Sequence, residues 1–296
     1  GLVAYSTGEL VPHAWAPSPR GTWQHGAGVL IRLPDWAAPG RIWAVDVARI
    51  RGRWLLYYSV RVNGLGKDGR CIAVARGRSA RGPFRPLGDR PLVCPRGADT
   101  PRALDPVLPR PRGLPQAGVI DPSVHVDARG RVHLLYKTDQ VPSSIRIVRL
   151  TRWGIRPVRR SVEIMRFDGV IENPVLTRRP EGWVMLLSKG DWTKCTYRTM
   201  WTRSTDLFDW SDAVSGPLVN RRRTGLCGAG GADLVRMPGG DRIFLHAWTC
   251  HGTDQPCRGR SRWTQRPRAQ AIRSMYAARL AWRNGRPVMR RWITPR

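Results

Sequence analysis

Lysine is almost missing from this chain: four of its 51 basic residues are Lys (positions 67, 137, 189 and 194) and the other 47 are Arg. With 21 acidic residues, the net charge is +30 over 296 residues. A protein built to hold phosphate backbones usually mixes both cations, so Arg spread evenly along the chain reads first as a coding bias and a solvated basic surface. The functional alternative is salt-sensitive attraction to polyanions such as acidic polysaccharide or nucleic acid. Also absent is any apolar run of the roughly 18 residues that would cross a bilayer. No two Cys stand in the CxxC spacing of a structural zinc site. The chain opens on Gly1 rather than Met and so reads as processed, trimmed or fragmentary, with any secretion signal removed or not included. Phe and Tyr are scarce, 4 and 6 against 14 Trp. Trp is costly to place unless its ring packs and its N–H finds a partner, so some of these rings are expected to line a binding surface.

What is present begins with Cys 71, 94, 195, 227, 250 and 257, an even set that reads as disulfides of an oxidising, extracellular setting. Pairing neighbours along the chain gives Cys71 with Cys94, Cys195 with Cys227 and Cys250 with Cys257, with other connectivities open. Helical periodicity is hard to find, while short β-branched, aromatic and aliphatic runs recur between Gly, Pro and Asp-rich turns. They form a repeat: RIWAVDVARIRGRWLLYYS (41–59), VIDPSVHVDARGRVHLLYK (119–137), VIENPVLTRRPEGWVMLLS (170–188) and GGADLVRMPGGDRIFLHAW (230–248). Each reads as a hairpin, followed by further strand-like runs such as CIAVARG at 71, SIRIVRL at 144, YRTMWTRS at 197 and SMYAARLAW at 274. A fifth copy opens the chain with LVAYST (2–7) and HAWAPSPRGTW (13–23) but lacks its first strand. The expectation is an all-β, five-bladed β-propeller, one domain over 1–296, with the first blade incomplete at the N-terminus. Pro101 to Pro115 reads as a surface loop, and 190–230 and 251–272 as long Arg-rich loops rimming one face.

In a propeller the first strands of the blades line a central channel. Asp121 and Glu172 each lie three residues before the first apolar Val of their hairpins, Val124 and Val175. This register match predicts two carboxyl groups at one channel mouth, the minimum that glycoside hydrolysis needs. The bland alternatives are a turn Asp before Pro122 and a solvent-facing strand Glu. Asp46 lies two residues further along its hairpin and reads as a structural Asp bonding backbone in the channel wall. Asp105, without a hairpin behind it, reads as loop.

Together these segments resemble glycoside hydrolase family 43, five-bladed propellers acting on arabinose- or xylose-containing polysaccharides, from about Tyr5 to the C-terminus. WAVDV (43–47) resembles the family's WAPDV, VIDPSVHVD (119–127) its second-Asp motif and IENP (171–174) its general-acid motif. The resemblance implies Glu172 as the general acid and Asp121 as the residue that keeps it protonated and oriented. The family's base, an Asp in the first strand of the first blade, is expected before Gly1, because Glu9 follows its apolar strand instead of preceding it. CGAGGADLV (227–235) is similar to the family's late GPGH segment, with Gly230 where a metal-holding His often stands. His246 matches a channel-facing position, with a hydrogen-bonded core His as the alternative. The implied cofactor is none for the chemistry, and a calcium or sodium ion in the channel for structure. Trp43, Asp46, Lys137, Trp192 and His246 form the implied substrate-binding set, with Lys137 binding sugar hydroxyls and Trp192 stacking on a ring. Either of the last two equally suits a blade edge. The function expected is a secreted, monomeric, inverting α-L-arabinofuranosidase acting on plant polysaccharide or oligosaccharide, with no membrane or nucleic-acid partner. The alternative is a catalytically impaired sugar- or polyanion-binding propeller. A third reading keeps hydrolysis but takes fructosides with retention.

Overall fold

The computed structural model describes residues 1–107, 113–250 and 271–293. Cys257, and with it the expected Cys250–Cys257 pairing, lies outside the described residues, as do most of 251–272 and part of the Pro101 to Pro115 stretch. The chain forms two compact units, Gly1–Gly169 and Val170–Arg296.

The first unit holds three sheets. One has three antiparallel strands, β1 (Leu2–Tyr5), β2 (Pro12–Ala16) and β3 (Gln24–Gly28). The next is built on β4 (Trp43–Ile50), β5 (Arg53–Arg61) and β6 (Arg70–Gly77). Strands β7 (Phe84–Leu87) and β8 (Val93–Pro95) both pair with β6, and β9 (Asp105–Val107) runs parallel to β8. The third is the meander β10 (Val119–Val126), β11 (Val132–Thr138), β12 (Ser143–Leu150) and β13 (Val162–Phe167). The second unit holds two four-stranded meanders. They are β14 (Ile171–Arg179), β15 (Gly182–Lys189), β16 (Arg198–Ser204) and β17 (Val214–Val219), then β18 (Cys227–Met237), β19 (Gly240–Cys250), β20 (Ala271–Arg283) and β21 (Arg286–Trp292). A single helical turn, α1 (Arg221–Thr224), joins them. The fold class is the five-bladed β-propeller, and its first blade has three strands.

All four repeated hairpins fall where the sequence puts them, and the reason is local. The β4–β5 turn places Arg51 and Gly52 at φ 48° and 81°, and the β20–β21 turn places Asn284 and Gly285 at 50° and 70°. Two successive left-handed residues make the tight turn whose twist matches that of paired strands. Strand β5 shows why the middle strands read as unbroken apolar runs: Leu55 and Tyr57 pack into one core cluster, Leu56 and Tyr58 into another. A strand covered on both faces buries every side chain, each worth roughly 1.5–3 kcal/mol.

Two expectations are corrected. Asp105 is not loop: it opens β9, is 1% exposed, and accepts hydrogen bonds from Tyr136 Oη (3.3 Å) and Ser161 N (3.3 Å). Burial raises its carboxyl above the usual range. The stretch 190–230 contains β16, β17 and α1 rather than one long loop. Disulfides Cys71–Cys94 and Cys195–Cys227 form as expected, the first tying β6 to β8 and the second tying the loop after β15 to the start of β18. They fit an oxidising compartment. No helix among the described residues is long and apolar enough to cross a membrane.

Candidate active site

The first strands of four sheets share one irregularity. One extra residue is inserted after Trp43 in β4, after Ile120 in β10, after Glu172 in β14 and after Gly230 in β18, where the ladder to the second strand slips. The residue next in line carries a left-handed backbone each time: Ala44 (φ 36°), Asp121 (57°), Asn173 (51°) and Gly231 (60°). Asp, Asn and Gly accept this conformation most readily. Such bulges re-aim side chains and gather at functional sites.

The bulge also corrects the expected register. Asp121 corresponds to Asn173, and Glu172 stands level with Ile120, since Ile120 pairs with Lys137 as Glu172 pairs with Ser188. Asp121 and Glu172 are therefore one position apart, not equivalent. Ser123 separates Pro122 from Val124, whereas Pro174 runs straight into Val175, so counting back from the first Val lands on different sides of the bulge.

In the first unit Asp121 is 7% exposed. Lys137, in β11, is buried and reaches Asp139 Oδ1 at 3.3 Å. Asp46 Oδ2 accepts the backbone N–H of Val124 in β10 at 2.6 Å, which links β4 to its neighbour. The Arg70 guanidinium lies 3.5 Å from the Trp43 ring centroid and covers one face of that ring. Arg70 is 4% exposed, and burial lowers its pKa to about 10.

In the second unit Glu172 is 9% exposed, and the Tyr197 hydroxyl donates to its Oε1 at 2.6 Å. The same hydroxyl lies 3.0 Å from Asn173 Oδ1. Tyr197 precedes β16, and its ring fills the space over Gly230: a Cβ on that glycine would sit 2.0 Å from Cε1. His246 in β19 does the same to Gly231, whose Cβ would lie 2.2 Å from Nε2. The double glycine is thus the floor on which two rings rest. A His at 230 has no room beside Tyr197.

Arg273, in β20, ties these groups together. Its Nε donates to His246 Nδ1 (2.7 Å), Nη1 to Trp192 O (2.8 Å) and Nη2 to Gly228 O (2.7 Å). Its guanidinium lies 5.6 Å from the Tyr197 ring centroid and 5.0 Å from that of Trp248. Trp192, half exposed, stacks on Trp248 at 6.1 Å, and Trp248 Nε1 donates to Trp192 O. Asp191 Oδ1 holds the same loop by accepting from Thr193 N and Oγ1. This platform is suited to stacking on a sugar face.

The ion implied for His246 does not fit these residues. A guanidinium only donates, so His246 Nδ1 is the acceptor and Nε2 carries the proton. Nε2 faces the Gly231 backbone, and the Arg273 charge repels a cation. Burial, and then Arg273, lowers the His246 pKa to about 3. Among the described residues no three His, Cys, Asp or Glu side chains group as a metal site.

Tyr197, Asn173 and Arg273 escaped the sequence reading. Asn173 had a usable signal, since Asn-Pro in β14 matches Asp-Pro in β10. One Arg among 47 has none.

Proton donation to a leaving sugar oxygen needs a sheltered, firmly held carboxyl group beside a surface that binds rings. Glu172 and the Trp192–Trp248 platform, carried on a five-bladed propeller, put the chain in the class of carbohydrate-active propellers. The family model of Glycosyl hydrolases family 43 matches residues 13–287, and the chain belongs to that family: it is a family-43 glycoside hydrolase. No curated protein matches its sequence. Its fold is shared with a thermostable family-43 glycoside hydrolase (TM-score 0.71, 15% identity, covering 99% of this chain and 88% of that one). It is also shared with the Cellvibrio cellulosa α-L-arabinanase complexed with arabinohexaose (0.68, 19% identity, 98% and 92%). A third structure of the same fold is an α-L-arabinofuranosidase from Clostridium thermocellum (0.65, 15% identity, 96% and 83%).

Proposed function

We infer that the chain is an inverting glycosidase releasing α-L-arabinofuranose from plant polysaccharide or oligosaccharide in an extracellular setting, with Glu172 as the general acid. The observation that carries this reading is the Glu172 carboxyl group, buried on the IENP bulge and held at 2.6 Å by Tyr197. Asp121, in the DP motif of β10, keeps the modulating role that the motif implies. The structures of an arabinanase and an arabinofuranosidase with this fold favour arabinose as the sugar. Trp192 supplies a stacking face in the unit that carries Glu172.

The test is turnover of aryl α-L-arabinofuranoside and aryl β-xyloside by the full-length protein. Arabinofuranoside hydrolysis is expected to exceed xyloside hydrolysis, and Glu172→Ala is expected to lose about 10²- to 10⁴-fold in kcat/KM. Absence of turnover on every pentoside sinks the reading. Tight, salt-resistant binding to heparin or DNA without pentose release points instead to a binding propeller.

A further inference from the structure

Resting on the reading of Glu172 as general acid, the geometry points to Tyr197 as a positioning residue that holds the Glu172 carboxyl group in place for proton donation.

The Tyr197 hydroxyl faces two acceptors, Glu172 Oε1 at 2.6 Å and Asn173 Oδ1 at 3.0 Å. The closer, carboxyl acceptor takes the proton. Three features stop the phenol from swinging away. Its ring lies against the backbone of β18 at Gly230, where not even a methyl group fits. The Arg273 guanidinium sits on the ring, itself anchored to His246, Trp192 and Gly228. Tyr197 N donates to Lys194 O at 3.1 Å, in a turn fastened through Cys195–Cys227.

As the glycosidic C–O bond breaks, its electron pair passes to the leaving oxygen, which takes the Glu172 proton, while water adds to the anomeric carbon and gives up one of its own protons to solvent. The phenol keeps its own proton and stabilises the carboxylate that forms.

Tyr197→Phe preserves the ring, its packing and the backbone, and removes only the donor. The experiment compares kcat/KM of the full-length wild type, Tyr197→Phe and Glu172→Ala on two arabinofuranosides, one with an alkyl and one with a 2,4-dinitrophenyl leaving group. An activated aryl oxide leaves without protonation, so only the alkyl substrate depends on the acid. Tyr197→Phe is expected to lose about 10- to 100-fold on the alkyl substrate and less than about 3-fold on the activated one, with KM unchanged. Equal losses on both substrates, or none, overturn the role of Tyr197 while Glu172→Ala still discriminates between them. A Glu172→Ala variant that does not discriminate, or a wild type inactive on both, refutes the general-acid reading itself.

Discussion

Replacing Gly230 with Ala adds one methyl group at a place already taken, 2.0 Å from Cε1 and 2.7 Å from Cδ1 and Cζ of Tyr197. Carbon atoms settle at about 3.5–4.0 Å, so the ring or the strand must move by roughly 1.5 Å. Gly230 is not among the glycines with positive φ, so its backbone accepts Ala, which by itself stabilises by about 0.4–1 kcal/mol through the unfolded chain. Against that stand overpacking, about 1–3 kcal/mol, and loss of the Tyr197–Glu172 hydrogen bond, about 1.5–3 kcal/mol. The net expectation is destabilisation by about 2–5 kcal/mol, read from urea unfolding. The decisive measurement is a double-mutant cycle with Tyr197→Ala. Once the ring is truncated the methyl group has space, so Gly230→Ala becomes neutral or slightly stabilising, giving a coupling of at least about 2 kcal/mol. An undiminished cost in the truncated background would show that Tyr197 is not what the glycine makes room for.

Asp46→Ala removes the acceptor of the Val124 N–H and is expected to cost about 1.5–3 kcal/mol in denaturant stability, whereas a cost below about 0.5 kcal/mol would leave the β4–β10 link without weight. Replacing Cys195 and Cys227 together by Ser opens a loop closed over 32 residues, for an expected loss of about 3–4 kcal/mol, with Trp192 fluorescence more readily quenched. Unchanged quenching would separate the disulfide from the platform. Acid should destabilise the protein. His246 and His133 are lowered from 6.5 to about 3 and about 4, chiefly by burial, with Arg273 adding to it at His246. The unfolded chain binds protons below about pH 6.5 while the folded chain does not. Stability is therefore full above that pH and falls as pH drops toward 4, by up to about 1.4 kcal/mol per pH unit for each His. Urea midpoints that rise between pH 6.5 and 4.5 would refute this, and His246→Gln should flatten the slope.

The sequence by itself determined the blades. Hairpin turns, strand periodicity and the doubly covered apolar runs are written in neighbouring residues, so the hairpins of β4–β5, β10–β11, β14–β15 and β18–β19, and the Cys71–Cys94 and Cys195–Cys227 pairs, were legible along the chain. Motif resemblance likewise singled out Glu172 and Asp121 and the family to which they belong. What tertiary structure alone decided is how those residues are held. The bulge moved Asp121 one position away from Glu172, because register follows strand pairing and not the distance to the next Val. Asp105 became a buried strand residue through partners 31 and 56 positions away. Tyr197 reached Glu172 across 25 residues, and Arg273 reached His246 across 27. Gly230, at first sight only a missing His, is the space that the Tyr197 ring fills. Turn chemistry and side-chain alternation act between neighbours and leave their mark on sequence, whereas the packing of a ring against a glycine two strands away is set by how sheets stack, and leaves none.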